Sequence, residues 1–137
     1  MKLSTRSRYG LRAMTYIAAH EDRAPIPTSE IAQALELSDS YLEQLFRLLK
    51  GDHFIRSVRG IRGGYELARP ADQIRILDLL NCLEGALWLA DCTQCGECPG
   101  GNLNCPTRLI IRRMSQAIEE TTQSETLADM AELYRAI

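Results

Sequence analysis

A chain of 137 residues, 45% hydrophobic and 25% charged, has the size and composition of one ordinary globular domain with room for a protruding segment. Its longest uncharged apolar stretch falls well short of the roughly 20 residues a spanning helix needs, and the N-terminal Met-Lys-Leu-Ser lacks the apolar core of a signal peptide, so no membrane contact and a reducing cytoplasm are expected. The net charge of −2 conceals an asymmetry, since residues 1–69 hold eleven Lys and Arg against eight Asp and Glu while residues 70–137 hold five against ten, so only the first half is equipped to meet a polyanion.

Residues 4–20 place Leu11, Met14 and Ala18 at helical spacing with Ile17 widening the stripe, which predicts an amphipathic helix whose Arg6, Arg8 and Arg12 lie toward its start. Pro25 and Pro27 end it. Thr28 is then read as the N-cap of a short helix with Ile31, Ala32 and Leu35 on one face. After a turn at Leu37-Ser38 comes a second helix with the buried stripe Leu42, Leu45, Phe46 and Leu49. Ser40 with Glu43 fits a capping box there, and Ser38 is an equally good cap. Two short helices joined by a tight turn are a helix-turn-helix candidate. Gly51 stops the second, and residues 54–69 read as two short strands, Ile55 and Val58 leading in and Tyr65 and Leu67 leading out of a tip bearing Gly60, Gly63 and Gly64. Between Arg47 and Arg62 the chain carries Arg47, Lys50, Arg56, Arg59 and Arg62 with Asp52 as the only acid. A phosphate-cradling loop is the competing reading of the glycines, but neither the P-loop nor the dinucleotide pattern is matched, so a basic wing is the better one.

Ile76, Leu79, Leu80 and Leu83 define a further helix ending near Gly85. Cys82 lies within it and is read as a packing residue. Asp91 to Pro106 then holds Cys92, Cys95, Cys98 and Cys105. A loop curling round one point can aim these thiolates together. Structural zinc sites usually use two separated C-x2-C pairs, whereas iron–sulfur proteins use continuous runs, and Cys-x2-Cys-x2-Cys-x6-Cys-Pro matches such a run in its first three positions. Disulfides fit poorly with five cysteines and no signal peptide. Pro106 opens a long helix through Gln123 in which Ile110 or Ile111, Met114 and Ile118 recur at three- to four-residue intervals. Such a stripe is more than a small domain easily covers, which points to a partner chain. Thr126 and Asp129 cap a last helix bearing Leu127, Met130 and Tyr134.

The stretches LSTRSRYGLRAM, LSDSYLEQLFRLLK and SVRGIRGGYELA, with the cysteine loop and the long helix after it, resemble the Rrf-two family of bacterial transcription regulators, the IscR, NsrR and CymR type, over nearly the whole chain. The resemblance implies a mainly α fold with a small β wing: a winged helix-turn-helix DNA-binding domain over 1–85, an iron–sulfur cluster loop over 86–105, and the dimerisation and C-terminal helices over 106–137. It implies a homodimer on a pseudo-palindromic DNA operator, with Ile110, Ile111, Met114 and Ile118 at the dimer interface. Ser38, Ser40, Tyr41 and Gln44 would face base edges and Arg59 and Arg62 the minor groove, while Glu43 would either accept from a cytosine amino group or repel phosphate.

Departures from the family pattern bear on the ligands. Cys92-x5-Cys98 agrees with it, and Cys98-x6-Cys105 is one residue longer. The histidine that IscR-like members place three positions after the last cysteine is here Arg108, and Arg6 and Arg8 occupy the region from which some members borrow a carboxylate. These departures point to Cys95 as the fourth ligand of a 2Fe-2S or 4Fe-4S cluster, a choice that spacing does not make. Neither His20 nor His53 has a catalytic partner motif beside it, both are expected to face solvent, and no enzyme activity is expected. Two alternatives stand beside a cluster-controlled DNA-binding regulator: a metal-free thiol regulator of sulfur metabolism, and an electron-transfer or cluster-scaffold protein, for which a basic hairpin has no use.

Overall fold

The computed structural model describes residues 2–90, 93 and 105–137. Cys92, Cys95 and Cys98 lie outside the described residues.

Helix α1 (Thr5–Ala19) is the axis of the molecule, buried almost continuously from Ala13 to Ala19. Its N-cap Ser4 accepts from the Ser7 backbone N–H, as a short polar side chain in extended backbone does at a helix start. Helix α2 (Thr28–Leu35) packs Ile31, Ala32 and Leu35 inward, and α3 (Asp39–Gly51) packs Leu42, Leu45, Phe46 and Leu49. The sequence expectation of Thr28 as N-cap is corrected, because Pro27 is the cap and Thr28 is the first helical residue. The reason is upstream: Ile26 is held by reciprocal backbone hydrogen bonds with Tyr65, which fixes where the helix begins, and the Pro27 carbonyl accepts from the N–H groups of Glu30 and Ile31. At the next junction Glu36 takes a left-handed conformation that ends α2, and Ser38, the first of the two cap candidates, accepts from the Tyr41 N–H.

Strands β1 (Ile55–Val58) and β2 (Gly64–Leu67) pair antiparallel, from Ile55 opposite Leu67 to Val58 opposite Gly64. Arg56 and Glu66 form a cross-strand ion pair at 2.6 Å. The wing is fastened to the body twice, by the Ile26–Tyr65 bridge and by Lys50 Nζ donating to Ser57 Oγ at 3.0 Å.

Helix α4 (Ile76–Glu84) buries Ile76, Leu79, Leu80 and Leu83 against α1 and α3. Helix α5 (Pro106–Ser124) lies along α4, with Ser115 and Ile118 half-buried beside Leu77 and Asn81. Helix α6 (Leu127–Ala136) starts at a full capping box between Thr126 and Asp129. Helix α6 packs back on α1: Leu127 and Ala131 are buried, and Arg135 donates to the Ala18 and Ala19 carbonyls at the end of α1. The Arg75–Thr126 bridge ties the start of α6 to the entry of α4.

Candidate nucleic-acid interface and cysteine centre

Burial of Leu42, Leu45, Phe46 and Leu49 rotates the opposite face of α3 to solvent. Ser40, Glu43 and Gln44 are exposed on that face and Tyr41 is half-buried, its ring edge-on to Tyr9 of α1 at 6.3 Å. Ser38 is exposed; its Oγ accepts the Tyr41 N–H and lies 3.4 Å from Ser40 Oγ. Arg47 is also exposed, three and four residues beyond Gln44 and Glu43, and completes the same face. The sequence places Arg47 in the basic patch without giving it a particular contact; its spacing from Glu43 and Gln44 is what sets it on this face.

At the wing tip Arg59, Gly60, Ile61 and Arg62 are all exposed. The Gly63 N–H donates to the Gly60 carbonyl at 3.0 Å, closing a turn around Ile61 and Arg62. A Cβ at Gly63 would lie closer than 3.0 Å to the carbonyl oxygens of Val58 and Gly60, so no larger residue fits this turn as built. Helix α3 and a basic β-turn thus stand on the same body, joined through Lys50 and Ser57.

Within the cysteine centre the described residues include Cys105 and not the other expected ligands. Cys105 is the N-cap of α5. The backbone N–H groups of Arg108 and Thr107, which point out of this helix start, favour its thiolate and hold its pKa below the ordinary thiol value. Arg108 itself is only 8% exposed, and its Nε has no hydrogen-bond partner among the described residues. A buried guanidinium N–H with nothing to donate to is costly, and it fits a neighbouring anion. A helix N-terminus, a cysteine whose thiolate is favoured and a cationic donor without a partner among the described residues are together a setting that favours an anionic iron–sulfur–thiolate group. Among the described residues no group of three His, Cys, Asp or Glu is gathered at one point. Cys82 differs in kind: burial first, then the nearby Asp52 carboxylate, pushes its thiol up to about 12, and its Sγ lies 3.5 Å from the Leu48 carbonyl.

Of the histidines, His53 is exposed as expected. His20 is half-buried, stacked on Tyr16 at 4.2 Å with Nδ1 2.8 Å from the Tyr16 carbonyl oxygen, so its role is structural and the solvent-facing expectation is corrected. Along α5, Ile110 (53%) and Met114 (48%) are exposed together with Leu109 (49%), whereas Ile111 and Ile118 are half-buried.

These features define a winged helix-turn-helix transcription regulator with a cysteine segment set between its α4 and α5. A family model described as Rrf2, iron-dependent transcriptional regulator, matches residues 3–133, and the chain belongs to the Rrf2 family. It is 35% identical over 130 residues to the HTH-type transcriptional regulator IscR of Sodalis glossinidius (strain morsitans), covering 95% of this chain and 78% of that protein. Among solved structures it is similar to CymR of B. subtilis, described as the global cysteine regulator, with TM-score 0.83, 34% identity and coverage of 97% and 98% of the two chains. It is likewise similar to T. potens IscR, with TM-score 0.79, 35% identity and coverage of 100% and 89%. No helix among the described residues is long and apolar enough to cross a membrane.

Proposed function

We propose that this regulator acts in the bacterial cytoplasm as a homodimer on pseudo-palindromic double-stranded DNA, and that an iron–sulfur cluster held by Cys92, Cys95, Cys98 and Cys105 controls its DNA affinity or its choice of sites. The observation that carries the cluster reading is that Cys105 stands at the N-terminus of α5 with Arg108 buried three residues on, its Nε without a hydrogen-bond partner among the described residues. The bound cluster supplies a redox- and supply-sensitive group, 2Fe-2S or 4Fe-4S, at the head of that helix.

The chain's own residues supply the rest. Ser38, Ser40, Tyr41, Gln44 and Arg47 present hydroxyl, amide and guanidinium groups to a major groove, and Arg59 and Arg62 bring charge to the adjacent backbone or minor groove. Glu43 lies in the same exposed row, where a carboxylate accepts from a cytosine amino group or repels phosphate and rejects wrong sites. Exposed Ile110 and Met114, with half-buried Ile111 and Ile118 beside them, are the apolar strip offered to a second copy. The end of α4, which precedes the cysteine segment in the chain, is linked to the DNA-reading face through α1. The Glu84 carboxylate, at the last residue of α4, accepts from the hydroxyls of Ser4 and Ser7 and from the Ser4 N–H, and Arg6 Nε donates to the Leu83 carbonyl at 2.6 Å. Tyr9 of the same helix then meets Tyr41 on α3. A shift at the exit of α4 is therefore passed to the recognition helix by packed groups and not across solvent.

The similarity to CymR favours a second reading, in which the cysteines act as thiols without metal in the control of sulfur metabolism. An absorption spectrum with iron and sulfide analysis, on protein purified without oxygen, separates the two. Sulfur-to-iron charge-transfer bands with stoichiometric iron support the cluster; a colourless, metal-free or zinc-loaded sample removes it.

A further inference from the structure

We infer that Ile61 is a minor-groove contact that makes the wing discriminate against base pairs carrying the guanine 2-amino group. The inference rests on the reading that this chain binds DNA through α3 and the wing. Its starting point is an odd choice of residue: Ile61 is wholly exposed at the apex of the Gly60–Gly63 turn. A single exposed apolar residue is by itself unremarked surface. Here, however, the position is one where local chemistry favours Gly, Asn, Asp, Ser or Pro, and a β-branched side chain neither helps the turn nor packs on the body.

What surrounds Ile61 gives it a use. The turn is built on a two-stranded ladder whose second strand is bonded to Ile26 and whose first is bonded to Lys50, so the tip is held in a fixed relation to the recognition helix. Exposed Arg59 and Arg62 bracket the isoleucine. Arginine is drawn into narrow minor grooves by the enhanced negative potential there, and the apolar sides of the sugars line the walls. Taken together, the tip's side chains offer guanidinium donors and hydrocarbon but no acceptor. The floor of an A·T pair presents only acceptors, adenine N3 and thymine O2, which the arginines satisfy while Ile61 fills the space between the walls. A G·C pair raises a 2-amino donor from the floor, which meets no acceptor on these side chains and props Ile61 out of the groove.

The experiment selects binding sites from a randomised duplex library with the full-length protein and with Ile61→Ser. For wild type the expected result is A·T pairs at a fixed offset from the major-groove positions read by α3. Placing G·C there should weaken binding about tenfold, the scale of one unpaired buried donor. Inosine·C, which keeps the major-groove face nearly unchanged and lacks the 2-amino group, should restore it. Ile61→Ser should lose that preference to within about twofold, yet keep the wild-type salt dependence because no charge has changed. Equal affinity for G·C and inosine·C, or a serine variant that discriminates as wild type does, overturns the inference and leaves DNA binding standing. If wild type selects no sites, the DNA-binding reading fails and the inference with it.

Discussion

Replacing Gly64 by alanine should damage this protein well beyond the loss of flexibility usually associated with glycine. Gly64 opens β2 at φ +154°, and a Cβ built on it would fall closer than 3.0 Å to the Ile26 carbonyl and to Pro27 N, which is 2.8 Å away. That Ile26 oxygen accepts from the Tyr65 N–H at 2.9 Å, and the Ile26 N–H donates back to the Tyr65 carbonyl at 2.9 Å. Relief of the clash must therefore break or stretch both bonds, at about 0.5–1.5 kcal/mol each, with roughly 1 kcal/mol more for the disfavoured φ. The sum is about 2–4 kcal/mol, or a fall in Tm of roughly 6–15 °C for a domain of this size. Gly51→Ala is the matched control: a Cβ there meets nothing within 4 Å, and Gly51 ends α3 in open space. It should leave Tm unchanged or raise it slightly. Thermal unfolding followed by circular dichroism makes the comparison, with DNA affinity measured below both transitions. A Gly64→Ala protein melting within about 2 °C of wild type would refute the claim that the wing is fastened through Ile26.

Three further expectations concern the cysteines, the DNA-reading face and Glu30. Alanine at Cys92, Cys95, Cys98 or Cys105 should each lower iron and sulfide content after anaerobic reconstitution, while Cys82→Ala should not; a Cys95→Ala protein with a full cluster would mean that the fourth ligand lies elsewhere. Arg59→Ala should weaken binding to all sequences and reduce the slope of log affinity against log salt by about 1 for each phosphate that the side chain neutralises in wild type. Gln44→Ala should change base preference at particular positions, and equal losses on every sequence for both variants would contradict that division. Glu30 accepts from Arg23 at 2.5 Å and from Tyr16 at 2.8 Å, and these bonds, Arg23 first, hold its carboxyl below the ordinary value. A depressed carboxyl stabilises the fold above the unfolded value of about 4.3 and loses that contribution as pH falls through the folded value. Tm should thus drop less on acidification in Glu30→Gln than in wild type, and parallel curves would assign the acid limb to other groups.

The helices and the wing were legible because each buries one face, and burial of one face leaves a period in the sequence. The stripes at Leu42, Leu45, Phe46 and Leu49 and at Ile76, Leu79, Leu80 and Leu83 map directly onto buried positions. What periodicity does not carry is the identity of the opposing surface. Leu127 and Met130 read as an amphipathic helix, but nothing in their spacing said that α6 would return to α1 and place Arg135 on its terminal carbonyls. The cap at Pro27 was missed for a related reason, since it is set by the distant pairing of Ile26 with Tyr65 and not by the local Thr28. At the site, the cysteines, the recognition face and the wing arginines stood out as residue types in a pattern. Arg108 did not, because a buried arginine has the same letter as an exposed one; the sequence disqualified it as a ligand, and only its burial, with Nε lacking a partner among the described residues, gives it a part.

The central claim, that the cysteine centre governs DNA binding, is tested most directly by titrating cluster-loaded and cluster-free protein against the same genomic fragments at one salt concentration. Coupling of about 1–3 kcal/mol is typical of linked sites and corresponds to roughly 5- to 150-fold in affinity. It would arise here because two recognition helices must reach grooves about 34 Å apart, or a multiple of that, so a small change where α4 meets the cysteine segment misplaces both. The account predicts that the two forms differ by at least about fivefold on one class of fragment, with DNA protecting the cluster from loss if the loaded form binds more tightly. Superimposable isotherms on every fragment bound would contradict it.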